Sequence, residues 1–150
     1  MATAPTVAVV GMRALMRDVT AMSGPRGALT LALINAARQA AEPLAAVTRS
    51  SLPQVSGRLA GDVRVSASRS GANVRMGRAS VRYAGWVEFG GHRRAPHESS
   101  RDYSPRGRYL FPPAVTMAPR AAADFERATT TLLNAYHWTN ETTDPGGVRD

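Results

Sequence analysis

The sequence predicts an α+β fold in which N-terminal helices and a C-terminal helix pack on a small antiparallel sheet. Apolar residues recur every three or four positions near both ends of the chain, and they alternate with polar residues in the middle. A long basic loop, from Gly91 to Arg108, separates two aromatic-rich blocks. We therefore expect one α+β domain over residues 1–138 and a flexible polar tail over residues 139–150.

Two short elements are expected at the start of the chain. The β-branched run from Thr6 to Val10 predicts a first strand that stops at Gly11. Helical spacing of the apolar residues then predicts a helix from Met12 to Met22. Its methionines are interpreted as core filling, with a peptide-binding surface as the alternative.

A longer helix should follow, from Leu29 to near Ser51. Its apolar residues recur every three or four positions, and charged residues occupy the other faces. The helix should end there because Leu52 precedes Pro53, and residues before proline avoid helical angles. Pro43 lies inside the pattern and should kink or divide the helix, since proline lacks a donor and crowds the previous turn.

The period of the apolar pattern changes to two between Asp62 and Met76, after a turn from Gln54 to Arg58. This alternation predicts an antiparallel hairpin with one wet face, connected by a turn from Ser68 to Gly71. Arg64 and Arg75 fall on the polar positions of the pattern, so both should lie on the wet face.

The last two apolar blocks flank the basic loop. The first block, from Tyr83 to Gly91, is too short to decide between a strand and a helical turn. Its Gly90-Gly91 pair is interpreted as a tight turn, because the Gly-x-x-x-x-Gly-Lys-Ser/Thr pattern of a phosphate loop is missing. Pro112-Pro113 predicts the start of a final helix, with Pro119 as an alternative start.

Positive charge is concentrated in the middle of the chain. All 19 basic residues are arginine, and between Arg58 and Arg108 there are 11 arginines and four acids, a net of +7 out of +8. Such a cluster could neutralise phosphates, so a small arginine-rich nucleic-acid-binding domain is one hypothesis. Because the arginines are scattered over strands and turns, complementarity to an acidic protein surface accounts for the charge at least as well.

Composition weighs against several other classes of protein. There is no cysteine, so neither a disulfide nor a thiolate metal site is expected. No apolar run reaches the length of a membrane span and no signal peptide is recognisable, so we expect no membrane contact and synthesis in a cytoplasm. The glycosylation sequon at Asn140 is interpreted as a chance match.

Two places in the chain carry side chains of the types used in metal binding or catalysis. His92, His97 and Glu98 lack the spacing of a metal site, and no second cluster completes one. Glu88 lies among aromatic residues without a recognisable base or nucleophile, so we interpret it as the salt-bridge partner of a neighbouring arginine. The sequence therefore predicts no metal, no cofactor and no enzymatic activity.

Two motifs carry a resemblance to a known family. The stretch Tyr83-Ala84-Gly85-Trp86-Val87-Glu88-Phe89-Gly90 reads Tyr-Ala-x-x-Val-Glu-Phe-Gly, and Leu110-Phe111-Pro112-Pro113-Ala114 follows after the basic loop. Earlier landmarks are Leu52-Pro53, Ser56-Gly57-Arg58-Leu59 and Asp62-Val63-Arg64-Val65. From roughly Thr6 to Tyr136 the chain is similar to the neck or tail-completion proteins of long-tailed bacteriophages, a family of head–tail connectors also described as minor tail components.

The resemblance implies a structural protein of the virion, synthesised in the cytoplasm of a bacterial host and located at the head–tail junction. It would form a homo-oligomeric ring, a hexamer or dodecamer, at the neck, tail-completion or tail-terminator position, and join the capsid connector to the tail tube. Implied partners are further copies of itself and neighbouring connector, stopper or tail-tube proteins, with DNA nearby in the channel. Family members commonly carry Thr-Gly where this chain has Ser56-Gly57.

The aromatic blocks and the basic loop between them are the expected docking surface. Ring subunits that associate head to tail need two different complementary patches, and aromatic residues are typical interface anchors. The expected anchors are Trp86, Phe89 and Phe111. The full set of candidate interface residues is Tyr83, Trp86, Glu88, Phe89, Arg93, Arg94, Arg101, Arg106, Arg108, Tyr109 and Phe111.

Overall fold

The computed structural model of the protein describes residues 6–8, 17–19, 21, 27–94 and 98–141. Helices and a small set of antiparallel strands make up this part of the chain, which confirms the predicted α+β class. The helices are α1 (Ala28–Ser51), α2 (Arg58–Asp62), α3 (Ala84–Phe89) and α4 (Phe111–Glu141). The strands are β1 (Thr6–Ala8), β2 (Arg64–Ser68), β3 (Gly71–Arg75), β4 (Gly91–Arg93) and β5 (Ser99–Arg101).

Most of the predicted N-terminal helix lies outside the described residues. β1 confirms the start of the predicted first strand, and Val9 and Val10 are not among the described residues. Residues 17–19 and 21 are helical, as predicted for the segment from Met12 to Met22. Val19 is buried in the core, whereas the methionines of that segment also lie outside the described part.

The central sheet has the strand order β1-β3-β2, and both strand pairs are antiparallel. β2 and β3 form the predicted hairpin, in which Val65 lies opposite Val74 and Arg69-Ser70 make the turn. α1 packs against β2 and β3 on one side and against α4 on the other. The sheet therefore has one face covered by α1 and one open face.

The covered face of the sheet and the facing side of α1 form the centre of the core. Leu33 and Ala41 of α1 are fully buried, and Val74 and Met76 from the sheet side belong to the same cluster. Full burial of a side chain such as Leu33 contributes about 1.5–3 kcal/mol relative to leaving it exposed. This apolar contact fixes α1 on the sheet.

Pro43 lies inside α1 without dividing it, so of the two predicted effects, a kink or a division, the division was wrong. Proline in a helix interior costs about 3 kcal/mol, because one hydrogen bond is lost. Its neighbours Ala41 and Leu44 are buried in the core, and their packing offsets this cost. The predicted end at Ser51 is confirmed, since Leu52 has the extended backbone that a following proline requires.

The closing helix begins one residue before Pro112-Pro113, so the start signal was correct and the alternative start at Pro119 was wrong. Prolines in a first turn are tolerated because the missing N–H groups have no partner within the helix. α4 continues to Glu141, so residues 139–141, which were assigned to the polar tail, are helical. Residues 142–150 lie outside the described part.

Short elements fill the segments between the long helices. α2 follows the predicted turn and was not expected, and the block from Tyr83 to Gly91 forms the helix α3 and not a strand. Inside the basic loop, β4 pairs with β5 as a small hairpin. The loop therefore has internal structure that its composition did not predict.

Candidate docking surface

The position of α3 follows from its buried side chains. Ala84, Val87 and Glu88 have the spacing of one helical face, and all three are buried. In the motif Tyr-Ala-x-x-Val-Glu-Phe-Gly they are the Ala, the Val and the Glu. Trp86 occupies one of the x positions and is half-buried at the surface. Gly90 ends the helix with φ 79°, and its N–H donates to the Trp86 carbonyl at 2.8 Å.

The carboxylate of Glu88 is the centre of this region, because it binds the chain that leads into α4. Its Oε1 atom accepts the backbone N–H of Arg108 at 3.0 Å and that of Phe111 at 3.2 Å. Its Oε2 atom accepts the N–H of Tyr109 at 3.0 Å, and the N–H of Leu110 lies 3.2 Å from both oxygens. Four consecutive main-chain donors thus converge on one carboxylate.

This geometry explains how a fully buried acid is tolerated. Glu88 has 0% relative exposure, so its charge has lost its hydration. The N-terminal N–H groups of a helix have no partner within the helix, and the helix dipole favours a negative charge beside them. Glu88 therefore caps α4 from a separate helix, and it holds the two halves of the motif together.

The salt bridge predicted for Glu88 was wrong. None of the ion pairs among the described residues includes it, and the Arg108 guanidinium donates to the Glu88 main-chain carbonyl and not to its carboxylate. Because its side chain is fully buried, Glu88 is also not itself a contact for a partner, contrary to its place among the candidate interface residues. Its role lies inside the protein.

Two glycines allow this close packing. Gly107 has φ 73°, and a Cβ atom there would overlap Glu88 Oε1. A Cβ atom at Gly90 would overlap the carbonyl oxygen of Asp102, just after β5. The predicted tight turn at Gly90-Gly91 is confirmed by positive φ angles at both residues. These positions bring both ends of the basic loop against α3.

Arg101 fixes the loop to α3. Its Nη1 donates to the Val87 carbonyl at 3.1 Å, and its Nη2 donates to Tyr109 Oη at 2.9 Å. The guanidinium also lies 6.0 Å from the ring centroid of Trp86 and 5.7 Å from that of Tyr109, within range of a cation–π interaction. Trp86 Nε1 donates to the Gly91 carbonyl at 3.1 Å. Hydrogen bonds therefore attach the basic loop to α3 at Gly91 and at Arg101.

A groove lies beside this assembly, between α3 and the segment that precedes α2. It has a volume of about 240 Å³, and its lining is mainly apolar. Val55, on one wall, is 96% exposed. The groove is lined by Pro53, Val55, Ser56, Leu59, Tyr83, Trp86, Val87 and Arg101. We call it the Trp86 groove.

A second apolar feature lies on the outward side of α4. Pro112, Val115, Pro119 and Ala122 are separated by three, four and three residues, so they share one face of the helix. All four are exposed, and Val115 is 78% exposed. The exposed face of a surface helix is usually polar. We call this row the α4 stripe.

The candidate interface residues do not form one exposed set. Arg94 and Arg106 are exposed. Arg93 lies in β4, and its side chain is outside the described part of the structure. The half-buried members are Tyr83, Trp86, Phe89, Arg101, Arg108, Tyr109 and Phe111. Phe89 and Phe111 pack against each other with ring centroids 5.5 Å apart, so they join α3 to α4.

Sequence reasoning missed the Val55 wall and the α4 stripe. An apolar residue inside the turn after Pro53 was a usable signal for the first. The prolines and Val115 at helical spacing were a usable signal for the second.

Among the described residues, no group of acids and histidines could hold a metal ion, and no described helix is long and apolar enough to cross a membrane. His92 and Glu98 are exposed, and His97 is not among the described residues.

The fold and these surfaces define a small α+β protein that presents two unlike apolar patches, the Trp86 groove and the α4 stripe. No protein-family model, curated protein or solved structure matches the chain. Its function is therefore argued from its own residues.

Proposed function

We propose that the protein is a structural virion subunit of a long-tailed bacteriophage, which forms a ring at the head–tail junction and joins the capsid connector to the tail tube. It would act at the neck, tail-completion or tail-terminator position, in contact with further copies of itself and with adjacent connector, stopper or tail-tube proteins. The role is mechanical and not catalytic. In support, the buried acid of the motif accepts main-chain N–H groups at the start of α4, which is a structural role.

The observation that carries the proposal is the presence of two unlike apolar patches on different elements. A ring is built by heterologous contacts, in which one surface of each subunit meets a different surface of the next. The α4 stripe is a narrow ridge, and the Trp86 groove is an apolar cleft with aromatic walls. We assign the stripe of one copy to the groove of the next.

The packing of the two motif halves also supports the proposal. Val87-Glu88-Phe89-Gly90 and Leu110-Phe111 lie about twenty residues apart in sequence, yet Glu88 and the ring pair Phe89–Phe111 join them in space. The motif on which the resemblance rests is therefore one structural unit that borders the groove. Its contacts keep Trp86 in place.

The biological test is deletion of the gene from the phage genome that carries it. Lysates of the deletion should contain filled heads and separate tails, and the wild-type protein supplied from a plasmid should restore joined particles. Joined particles from the deletion alone would contradict the proposal. Genes for portal, capsid and tail-tube proteins on either side are expected.

The alternative is a small nucleic-acid-binding domain, suggested by the excess of arginine. Its main activity would then be tight binding of nucleic acid at physiological salt, and specific protein–DNA complexes are typically nanomolar or tighter there. The connector proposal predicts no such affinity. A fluorescence anisotropy titration with duplex DNA at about 150 mM salt separates the two hypotheses.

A further inference from the structure

Two arginines that do not line the Trp86 groove bind the buried carboxylate of Asp62. Asp62 ends α2, and its side chain is only 1% exposed. Its Oδ2 accepts the Gly77 N–H at 2.5 Å, and its Oδ1 accepts from Arg64 Nη1 at 3.0 Å and from Arg78 Nε. One carboxylate therefore orients two guanidinium groups, which remain 44% and 56% exposed.

A third arginine lies next to this pair. Arg75 is directly opposite Arg64 in the register of β2 and β3, so both side chains project from the same face of the sheet. The Arg75 side chain is exposed and makes no hydrogen bond or ion pair with any described residue. Like charges directly opposite each other destabilise a strand pair. The three guanidinium charges of Arg64, Arg75 and Arg78 and the one carboxylate charge of Asp62 sum to +2, which an anion would compensate.

The rest of the open face indicates the class of anion. Among the side chains that the structure describes, it presents Ser66, Ser68 and Asn73 beside the arginines, and α1 covers the other face. These side chains have no apolar or aromatic group to anchor a protein partner or to stack on a base. Arg, Ser and Asn side chains are common donors to phosphate oxygens.

We propose that Arg64, Arg75 and Arg78 form a binding site for the phosphates of a nucleic-acid backbone. The planar guanidinium group can donate two hydrogen bonds to two oxygens of one phosphate. Asp62 holds two of the three guanidinium groups in place before binding. Because phosphates repeat along every nucleic acid and contacts to them carry no sequence information, binding is independent of sequence. Three contacts give a weak, salt-sensitive interaction, unlike the tight binding of a dedicated DNA-binding domain. None of the three arginines lines the Trp86 groove, and the proposed site does not depend on ring formation.

The test is an anisotropy titration of the full chain with two fluorescein-labelled 20-base-pair duplexes of unrelated sequence. Three phosphate contacts predict a slope of log affinity against log salt of roughly −2.7, a loss of about 40-fold between 50 and 200 mM. Arg75→Gln should reduce the slope by about one unit, to a loss of about 12-fold over the same range. Both duplexes should bind equally.

The matched control is Arg38→Gln, which removes the same charge from an exposed position of α1, on the covered side of the sheet. Its slope should stay at the wild-type value. A second variant, Ser66→Asp, adds a negative charge to the open face and should weaken binding, whereas Ser50→Asp at an exposed position of α1 should not. Equal reductions of the salt slope by Arg75→Gln and Arg38→Gln would overturn the proposed site, because they would show that the total charge of the protein alone determines its affinity for DNA.

Binding of a labelled oligoglutamate peptide shows whether the site prefers phosphates to carboxylates. The proposal predicts that duplex DNA binds more tightly than a peptide of similar charge. The proposal is overturned if the peptide binds as tightly as duplex DNA and Arg75→Gln weakens the binding of peptide and DNA equally. It is also overturned if neither duplex binds at 50 mM salt. Arg75 and Ser66 are exposed, so circular dichroism spectra of these variants should match the wild type.

Discussion

Glu88 is the residue on which the geometry of the docking surface most depends. It is a buried acid whose hydrogen bonds are all to main-chain N–H groups at the start of α4. An acid in an arginine-rich sequence suggests ion pairing, since side-chain partners can be seen in a sequence and main-chain donors cannot. The nearby arginines instead donate to carbonyl groups of α3 and of the loop. The charge of Glu88 stabilises a helix end.

Replacing Glu88 by alanine should lower the free energy of unfolding by about 3–5 kcal/mol. The substitution leaves four N–H groups without an acceptor in a buried place. Urea unfolding followed by circular dichroism measures the change. Glu126→Ala, at an exposed position of α4, is the matched control and should stay within about 0.5 kcal/mol of the wild type. A Glu88→Ala protein as stable as this control would show that the carboxylate does not hold α4.

Gly107→Ala tests the space beside that carboxylate. The new methyl group would meet Glu88 Oε1, and a positive φ alone costs a non-glycine residue about 1–2 kcal/mol. We expect a loss of at least about 2 kcal/mol in thermal or urea unfolding. Gly61→Ala is the matched control, since its Cβ would meet nothing within 4 Å, and it should be neutral or slightly stabilising. Equal effects of the two substitutions would contradict the packing described here.

At the scale of elements, the sequence predicted the long parts and missed the short ones. α1, α4 and the β2–β3 hairpin were predictable because each repeats its apolar period over enough residues to distinguish helix from strand. α2 and α3 are five and six residues long, too short to show a period. The hydrogen bonds from Arg101 to Val87 and from Arg108 to Glu88, which fold the later part of the basic loop onto α3, join residues 14 and 20 positions apart, which no local pattern reveals.

Among the contacts between elements, those of Arg101 can be tested most directly. Arg101→Ala removes the hydrogen bonds to Val87 and Tyr109, which should weaken attachment of the β4–β5 hairpin by about 1.5–3 kcal/mol. Amide hydrogen exchange in β4 and β5 should then become roughly 10- to 100-fold faster, with little change in α1. Arg94→Ala, an exposed position in the same loop, should leave exchange unchanged. A uniform increase over the whole chain would indicate global destabilisation instead.

At the scale of the whole molecule, we propose different roles for the apolar patches and for the exposed arginines. In the proposed ring, the Trp86 groove and the α4 stripe supply the two unlike surfaces of a head-to-tail contact, and the open face of the sheet carries uncompensated arginine. Composition predicted the charge and where it lies in the chain. It did not predict which arginines are used internally, as Arg101 and Arg108 are, and which remain available, as Arg75 does.

The heterologous contact has a consequence that a symmetric contact lacks. Val55→Asp should block the groove and Val115→Asp the stripe, so each variant alone should be monomeric. Both side chains are largely exposed, so neither substitution should affect folding. A mixture still contains one intact groove and one intact stripe, which allows a dimer that cannot grow further. Val47→Asp, an exposed valine of α1 outside both patches, is the matched control and should assemble as the wild type does.

Native mass spectrometry of these proteins, separately and as an equimolar mixture of Val55→Asp and Val115→Asp, tests the ring most directly. We predict a closed oligomer for the wild type and for Val47→Asp, monomers for each groove or stripe variant alone, and dimers for the mixture. A wild-type protein that stays monomeric at all concentrations, or a mixture that stays monomeric while the wild type assembles, would contradict the account.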